Sequence, residues 1–521
     1  MKRLTSLLAI CLALILCLCA CNTPGLSNPS ESNGSISQIE TDAKQDSTLS
    51  GSEGETETQN GCAHADADDN GTCDLCTASV LISVDFYAIN DLHGKLNDTD
   101  DQPGLDELST YLDHAKQTNE HTVLLSSGDM WQGSSESGLT KGLILTDWMS
   151  EMGFASMTLG NHEFDWGEQA IYDNLALANF PFLAINIYER NTNTLADYCT
   201  PSVLIDQGEI QIGIIGAIGN CYSSISSDKV EDVYFVLDDA LTNLVKEESE
   251  ALRAQGADII VYSIHDGGNE YDTALSNGYV DIVFEGHSHK NYVKKDAKGI
   301  YHLQGGGDND GITHAMAKVN EVTGSVTVVT AEYLPTSRYQ SFEDHPIVDQ
   351  LNRKYASQLS QGDAVLGNNA SKRYSSTIKQ KVADLYMELG LTHWGEEYDL
   401  VLGGGFISTR SPYDLAPGEV RYADLQMLLP FDNQIVLCSI KGSDLLNKFI
   451  NTSNSNYYIA FSDYGNEIKN SIDRNATYYI ITDTYCSSYA PNRLTVIDTY
   501  DQTTFARDLI AEYIKDGNWS K

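Results

Sequence analysis

The chain has 521 residues, 41% of them hydrophobic, enough for two or three domains with buried cores. It sets 32 basic against 74 acidic residues, a formal charge of −42. Such a surface repels a phosphate backbone, which excludes polymeric nucleic acid as a partner and obliges any phosphate-handling site to bring its own cations.

The first residues form a targeting signal. Lys2 and Arg3 give a positive start, and Leu7–Leu18 is an apolar run too short for an ordinary transmembrane helix. The run ends in Leu18-Cys19-Ala20-Cys21, which resembles a bacterial lipobox. That resemblance implies that residues 1–20 leave as a signal peptide and that Cys21 is lipidated, holding an exported protein to the outer face of the cell membrane. A plain cleaved signal peptide accounts for the same pattern. Residues 21–60 are Ser, Thr, Glu and Gly with few large apolar side chains, so they read as a disordered linker.

Residues 61–79 superimpose two ligand patterns. Cys62, His64, Cys73 and Cys76 have the pairwise grouping of a small zinc site with one CxxC. Asp66, Asp68, Asn70 and Gly71 copy the opening of a calcium loop, but its twelfth position is Thr77 and not a bidentate Glu. Disulfides are a third reading, because an exporting compartment oxidises.

From Val80 the pattern is α/β. Strands are expected at Leu81–Ile89, His121–Ser126, Ala155–Leu159, Phe182–Asn186, Ile210–Ala217, Asp258–Ile264, Asp281–Phe284 and Tyr301–Gln304. Two more, Ala315–Glu321 and Ser325–Tyr333, close the domain. Helices are expected at Leu105–Ala115, Gly142–Glu151 and Ala240–Ala254, and a loop or hairpin at Asn186–Thr200. Glu343–Leu359 is a charged helical stretch without a strand partner, read as a linker helix within 341–361. Residues 362–521 form a second domain ending in a helix over Thr504–Asp516.

Five strand-like runs end in hard-ligand residues beside glycine: Asn90-Asp91-Leu92-His93-Gly94, Ser127-Gly128-Asp129, Gly160-Asn161-His162-Glu163-Phe164-Asp165, His265-Asp266-Gly267-Gly268, and Gly286-His287-Ser288-His289. Each alone is explained by a surface loop, the third by an N-capping Asn. Together they fit a site gathered outside the carboxyl ends of strands. Nitrogen and carboxylate donors without thiolate suit zinc, manganese, iron(II) or cobalt better than magnesium alone. Enough donors are present for two ions, the usual clamp for displacement at phosphorus. His114, His121, His302, His314, His345 and His393 are read as ordinary core or loop residues.

These motifs resemble the calcineurin-like metallophosphatases. The fuller strings Asn90–Gly94, Gly128-Asp129-x-x-Gln132-Gly133 and Gly160–Gly167 are similar to the bacterial 5′-nucleotidase branch. The resemblance implies an α/β (α+β) fold: a metallophosphatase β-sandwich flanked by helices over residues 80–340, the linker helix, and a smaller α/β C-terminal domain. It implies two divalent metal ions, one held by Asp91, His93, Asp129 and His289, the other by Asp129, Asn161, His265 and His287. It further implies that His162 is not a ligand but stabilises charge on the phosphoryl group, with Asp165 fixing its tautomer. The reaction implied is hydrolysis of nucleotides by attack of a metal-bound hydroxide.

In the second domain the same family usually clamps a nucleobase between two aromatic rings. Gly403-Gly404-Gly405-Phe406-Ile407 resembles its glycine-rich loop, though a tight strand-to-loop turn also explains the glycines. Phe431 falls where one ring is expected, Arg410 stands near an expected arginine, and Tyr489 or Tyr485 could supply the second ring. The usual Gly-Gly-Asp-Gly-aromatic loop is absent. The expected partners are small phosphate esters, nucleotides first, with the membrane reached only through the lipid anchor. Two rival readings are a 2′,3′-cyclic nucleotide phosphodiesterase or nucleotide-sugar hydrolase, and a surface binding protein that keeps the fold without turnover. Two domains joined by a helix also lead us to expect a closing rotation about Glu343–Leu359.

Overall fold

A computed structural model describes residues 62–98, 103–266, 278–407, 414–453, 456–488 and 494–517. The signal peptide, Cys21, the linker, Arg410 and Tyr489 lie outside the described residues. No helix among the described residues is long and apolar enough to cross a membrane.

Two six-stranded sheets form the first half. The strands that carry the site are β1 (Leu81–Ile89), β2 (Thr122–Ser126), β3 (Phe154–Thr158), β4 (Ile259–His265) and β5 (Ile282–Glu285). In the first sheet β1, β2 and β3 are neighbours and parallel; Gly311–Asn320 and Val326–Pro335 extend it beyond β1, and Phe182–Leu183 extends it beyond β3. In the second, β4 and β5 are parallel neighbours, flanked by Gln211–Ile218 and Tyr301–Gly305.

The apolar pattern explains the layering. Val84, Phe86 and Ala88 on alternate positions of β1 bury in one cluster with Val123, Leu125, Val261, Ile282 and Phe284, so the two sheets share a dry interface. The intervening Tyr87 and Ile89 face the opposite way, into a cluster with Leu108, Leu112 and Trp148 from helices Asp106–Thr118 and Leu143–Met152. Helix Asp238–Ala254 covers the outer face of the second sheet through Leu241, Val245 and Leu252. Strands buried on both faces read as continuous apolar runs, which is how they stand in the sequence.

At the carboxyl ends a hydroxyl layer ties the sheets together. Thr158 donates to Ser263 Oγ at 2.7 Å, Ser263 donates to Ser126 O at 3.2 Å, and the Ser127 and Ser263 hydroxyls meet at 3.0 Å. These polar groups are buried but paired, so the layer fixes how the strand ends sit without leaving unsatisfied donors.

Two local expectations are corrected. The closing strand begins at Gly311, four residues before Ala315. The segment 186–200 holds the expected hairpin, with Tyr188 bridging Leu195 antiparallel, and its Ile187–Glu189 also pairs antiparallel with Val233–Phe235. The linker is not one free helix. It is two short ones, Ile347–Lys354 and Ala356–Leu359, and Ile347, Val348, Leu351 and Tyr355 bury in the first domain's core. A swing about this stretch would have to withdraw four apolar side chains, so a pivot costs less beyond Leu359.

The second half holds a five-stranded sheet ordered Tyr457–Phe461, Leu400–Phe406, Thr477–Asp483, Ile435–Lys441, Thr495–Thr499. Helix Ser375–Trp394 packs on it closely: a Cβ on Gly403 would come within 2.5 Å of Met387 N, and one on Gly390 within 2.3 Å of Ile481 Cγ1. The two halves touch through Lys141 Nζ and Asp432 Oδ2 at 3.4 Å and through the Ser226 and Ser488 hydroxyls at 3.1 Å.

Candidate active site

The five strands end at the same edge, and the chain turns sharply after β1, β2 and β5. Asp91 (φ 50°), His93 (53°), Asp129 (56°), His287 (76°) and His289 (54°) all adopt the left-handed region that side-chain-bearing residues resist. Such strain persists where the surroundings over-determine it, most often at functional sites. Here the surroundings are visible. The amide N–H of His287 donates to both carboxylate oxygens of Asp91, at 3.0 and 2.8 Å, and Asn90 Nδ2 donates to Asp91 at 2.6 Å. Gly128 and Gly160 are required for contact: a Cβ on the first would lie 2.7 Å from His265 Nδ1, and on the second 2.3 Å from Asp129 Oδ1.

The structure brings most of the candidate ligands read from the sequence close together. Donor atoms of Asp91, His93 and His289 lie within 4.8 Å of one another, as do those of Asp91, Asp129 and His265. His93 Nε2 and His289 Nε2 face each other at 2.9 Å, and His265 Nε2 stands 3.0 Å from Asp129 Oδ2. The far nitrogens are anchored: His93 Nδ1 lies 2.9 Å from Gln132 O, and His265 Nδ1 lies 2.7 Å from Ser127 O. Those carbonyls can only accept, so Nδ1 carries the proton in each ring and Nε2 is left to the centre.

The residues fit cations. Asn161 Oδ1 is buried and accepts no hydrogen bond, an orphan that a cation would satisfy. His287 is neutral at neutral pH: burial, then the neighbouring His265, pushes its imidazole down to about 4. Burial alone would discharge Asp129, but the imidazole of His265 outweighs it and holds the carboxyl well below the usual range. Burial likewise opposes a charge on His265, yet Asp129 lifts its pKa to about 10. An Asp–imidazolium pair and an Asp–cation pair satisfy the same negative charge, so protons and metal compete here.

His162 stands beside the cluster, its ring centroid 5.3 Å from that of His93. Its Nδ1 lies 2.7 Å from Asp165 Oδ2, and its backbone N–H donates to Asp129 Oδ1 at 2.8 Å. His162, Asp165, Asn161 and His287 line a cleft of about 220 Å³ together with Ser224, Ser226, Lys229, Phe431, Asn433 and Tyr485. Phe431 and Tyr485 are nearly parallel, 9° apart, with ring centroids 6.4 Å apart. That is the wide end of the roughly 4.5–7 Å range over which rings interact directly, so a small opening admits a planar group between them. Arg507 steadies Phe431: Nη1 donates to Leu429 O and Phe431 O, and Nη2 to Asp432 Oδ1 at 2.7 Å.

Sequence reasoning missed several participants. Glu163, fully buried, accepts the N–H groups of Asp129 (2.9 Å), Met130 (2.9 Å), Trp131 (3.4 Å) and Gly160 (2.7 Å), clamping two site loops with one carboxylate. Its signal was present, an acid inside the Gly160–Asp165 string. Lys229, a cation facing the cleft, had none, nor did Cys221, whose thiol donates to His265 O at 2.9 Å beside His287. Burial, then Asp129, keeps that thiol protonated. Gly404 and Gly405 are placed elsewhere than expected. They lie inside strand Leu400–Phe406, where a Cβ would strike Tyr458 O at 2.2 Å and Cys486 Sγ at 2.6 Å, and they do not line the cleft. Close packing of the sheet accounts for the absence of side chains there.

The calcineurin-like phosphoesterase family model matches residues 84–291. The chain carries a calcineurin-like phosphoesterase domain. Among curated relatives it is 27% identical to an apyrase of Tabanus yao over 405 residues, 69% of this chain and 72% of that one. It is 25% identical to a 5′-nucleotidase of Bos taurus over 409 residues, 69% and 70%. Among solved structures it is similar to a putative 5′-nucleotidase from Staphylococcus aureus, with a TM-score of 0.63 and 18% identity, covering 84% of this chain and 97% of that one. The matched stretch ends just beyond the Gly286–His289 motif, while the two sheets that carry the site continue to Val326–Pro335. The chain is a metal-dependent phosphoester hydrolase.

Proposed function

We propose that this protein is an exported, dinuclear-metal phosphoesterase that hydrolyses nucleotides, tethered outside the cell through Cys21. One observation carries the reading: the Asp–His–Asn cluster, the His162–Asp165 pair and the Phe431–Tyr485 rings open onto one cleft. In this reading residues 80–340 are the catalytic domain, 341–361 the linker and 362–521 the substrate-binding domain.

Asp91, His93, Asp129 and His289 would hold one cation, and Asp129, Asn161, His265 and His287 a second. Bound there, the two ions would supply Lewis-acid charge to a phosphoryl group and acidify water enough for attack at neutral pH. The chain's own residues do the rest. Asp165 accepts from His162 Nδ1, which fixes the ring's tautomer and orientation beside the cleft. There Nε2–H donates to the phosphoryl group as negative charge builds. Phe431 and Tyr485 take the base, and Lys229 adds a cation in a strongly acidic protein.

The test is phosphate release from nucleoside monophosphates, cyclic nucleotides, nucleotide sugars and glycerol phosphate, with manganese or zinc added and bound metal measured. Fastest release from mononucleotides is expected. Preference for cyclic nucleotides or nucleotide sugars would replace the substrate assignment. Release from none, with metals bound, would leave a binding protein.

A further inference from the structure

The function above leaves Cys62, His64, Cys73 and Cys76 unused. Their ligand atoms lie within 4.8 Å of one another. Cys62 Sγ and Cys73 Sγ are 3.8 Å apart, and Cys76 Sγ and His64 Nδ1 are 3.5 Å apart. Around a tetrahedral zinc, with Zn–S about 2.3 Å and Zn–N about 2.05 Å, the edges are about 3.8 Å between sulfurs and about 3.5 Å between sulfur and nitrogen. Both observed separations are those edges. A disulfide needs sulfurs about 2.05 Å apart; all three thiols are free, and three cannot pair off among themselves.

The backbone around them is built to hold this shape. Asp74 N donates to Ala65 O at 2.7 Å, Cys73 N to Ala78 O at 2.8 Å, and Thr77 N to Cys73 O at 2.8 Å. The Asp74 carboxylate accepts from Ala67 N at 2.9 Å. The neighbouring acidic residues serve a different purpose. Asp66 accepts from the N–H groups of Asn70 and Gly71 and from Asn320 Nδ2, at 3.0, 2.8 and 2.7 Å. Asn70 presents its amide N–H to Asp68 at 2.9 Å. These N–H donors satisfy the carboxylates as the acceptors of a tight turn. Asp69 accepts from Asn320, Thr323 and Ser325, the turn between two strands of the first sheet, at 2.9, 2.7 and 2.7 Å. The cysteine loop is therefore bolted to the sheet edge immediately before β1, the strand that leads to Asp91 and His93.

We propose that Cys62, His64, Cys73 and Cys76 bind one zinc ion as a closed structural site, separate from the two catalytic positions, that fastens the entry of the chain to the first sheet. Thiolates select zinc over hard cations, and four protein ligands leave no open position for chemistry.

The experiment compares the purified full chain with its Cys73→Ser/Cys76→Ser variant. Metal analysis should give one zinc fewer per chain in the variant, and cobalt(II) substitution should give a thiolate charge-transfer absorption in the wild type that the variant loses. Phosphate release should stay within about twofold, since neither cysteine touches the cleft. Should the variant fail to fold, the wild type decides alone: Cys62, Cys73 and Cys76, located by peptide mass, should resist alkylation until a chelator is added. Equal zinc content in both proteins, alkylation indifferent to chelator, or a peptide mass showing a disulfide from Cys62 to Cys73 or Cys76 would each overturn the proposal. These readouts are independent of turnover, so they stand or fall apart from the phosphoesterase reading.

Discussion

His162 Nδ1 lies 2.7 Å from a carboxylate oxygen of Asp165, three residues on along the same short helical turn. That contact makes the imidazole a fixed donor to the cleft without spending it on a cation. His162→Ala should lower kcat by at least about 10²-fold, the scale for removing a preorganised electrostatic group, with metal content unchanged. Asp165→Asn should cost less than His162→Ala, because the ring keeps a neighbour at Nδ1 but loses the carboxylate that orients it. Loss of metal from His162→Ala would contradict the role.

Glu163 offers a second test. Its carboxylate gathers four N–H groups that set Asp129 and Gly160 in position. Burial, then the charge on Asp129, pushes its own pKa up to about 7, so the anion is held at some cost. Glu163→Gln replaces one acceptor oxygen with a donor facing N–H groups. Metal affinity should fall by about 10- to 100-fold, as when a partner that orients ligands is lost. Titration with a competing chelator measures it; an unchanged affinity would confine Glu163 to packing.

Metal uptake should release protons. Before a cation arrives His265 is protonated at neutral pH, its pKa lifted to about 10 by Asp129 against the opposing effect of burial. A cation at Nε2 must displace that proton. Affinity should therefore rise as pH rises toward 10, by about tenfold per unit for one proton released. Calorimetry in buffers of different ionisation enthalpy counts the protons; none released between pH 6 and 8 would remove His265 from the ligand set.

The ring pair predicts a split between substrates. Phe431→Ala or Tyr485→Ala should raise KM for a purine mononucleotide about tenfold or more, since stacking contributes about 1–3 kcal/mol per base. KM for glycerol phosphate should hardly move. Equal effects on both would mean that the rings shape the cleft without recognising a base.

The first domain was legible because its signals are local. Strand β1 reads from Leu81 to Ile89 in sequence and structure alike, and its ligand motif follows directly. Boundaries slipped where a small polar residue continues a strand, as at Gly311-Ile312-Thr313, whose pairing with Val326–Pro335 no local pattern announces. The linker misled because its charge is genuine but one-sided: Ile347, Val348 and Leu351 form a narrow stripe that finds the first core. In the second domain, identifying Tyr485 as Phe431's partner required strands 42 residues apart in sequence to be placed side by side, Ile435–Lys441 against Thr477–Asp483. Gly404 and Gly405 looked like ligand-facing backbone because close packing and close approach to a ligand demand the same residue.

The left-handed corners at Asp91, His93, Asp129, His287 and His289 leave a lasting mark on the molecule. Glycine would relax every one of them, by about 1 kcal/mol or more apiece. A sequence shaped by folding alone would drift that way, so the protein stands somewhat less robust than its architecture permits, and the shortfall is concentrated at the rim where its chemistry takes place.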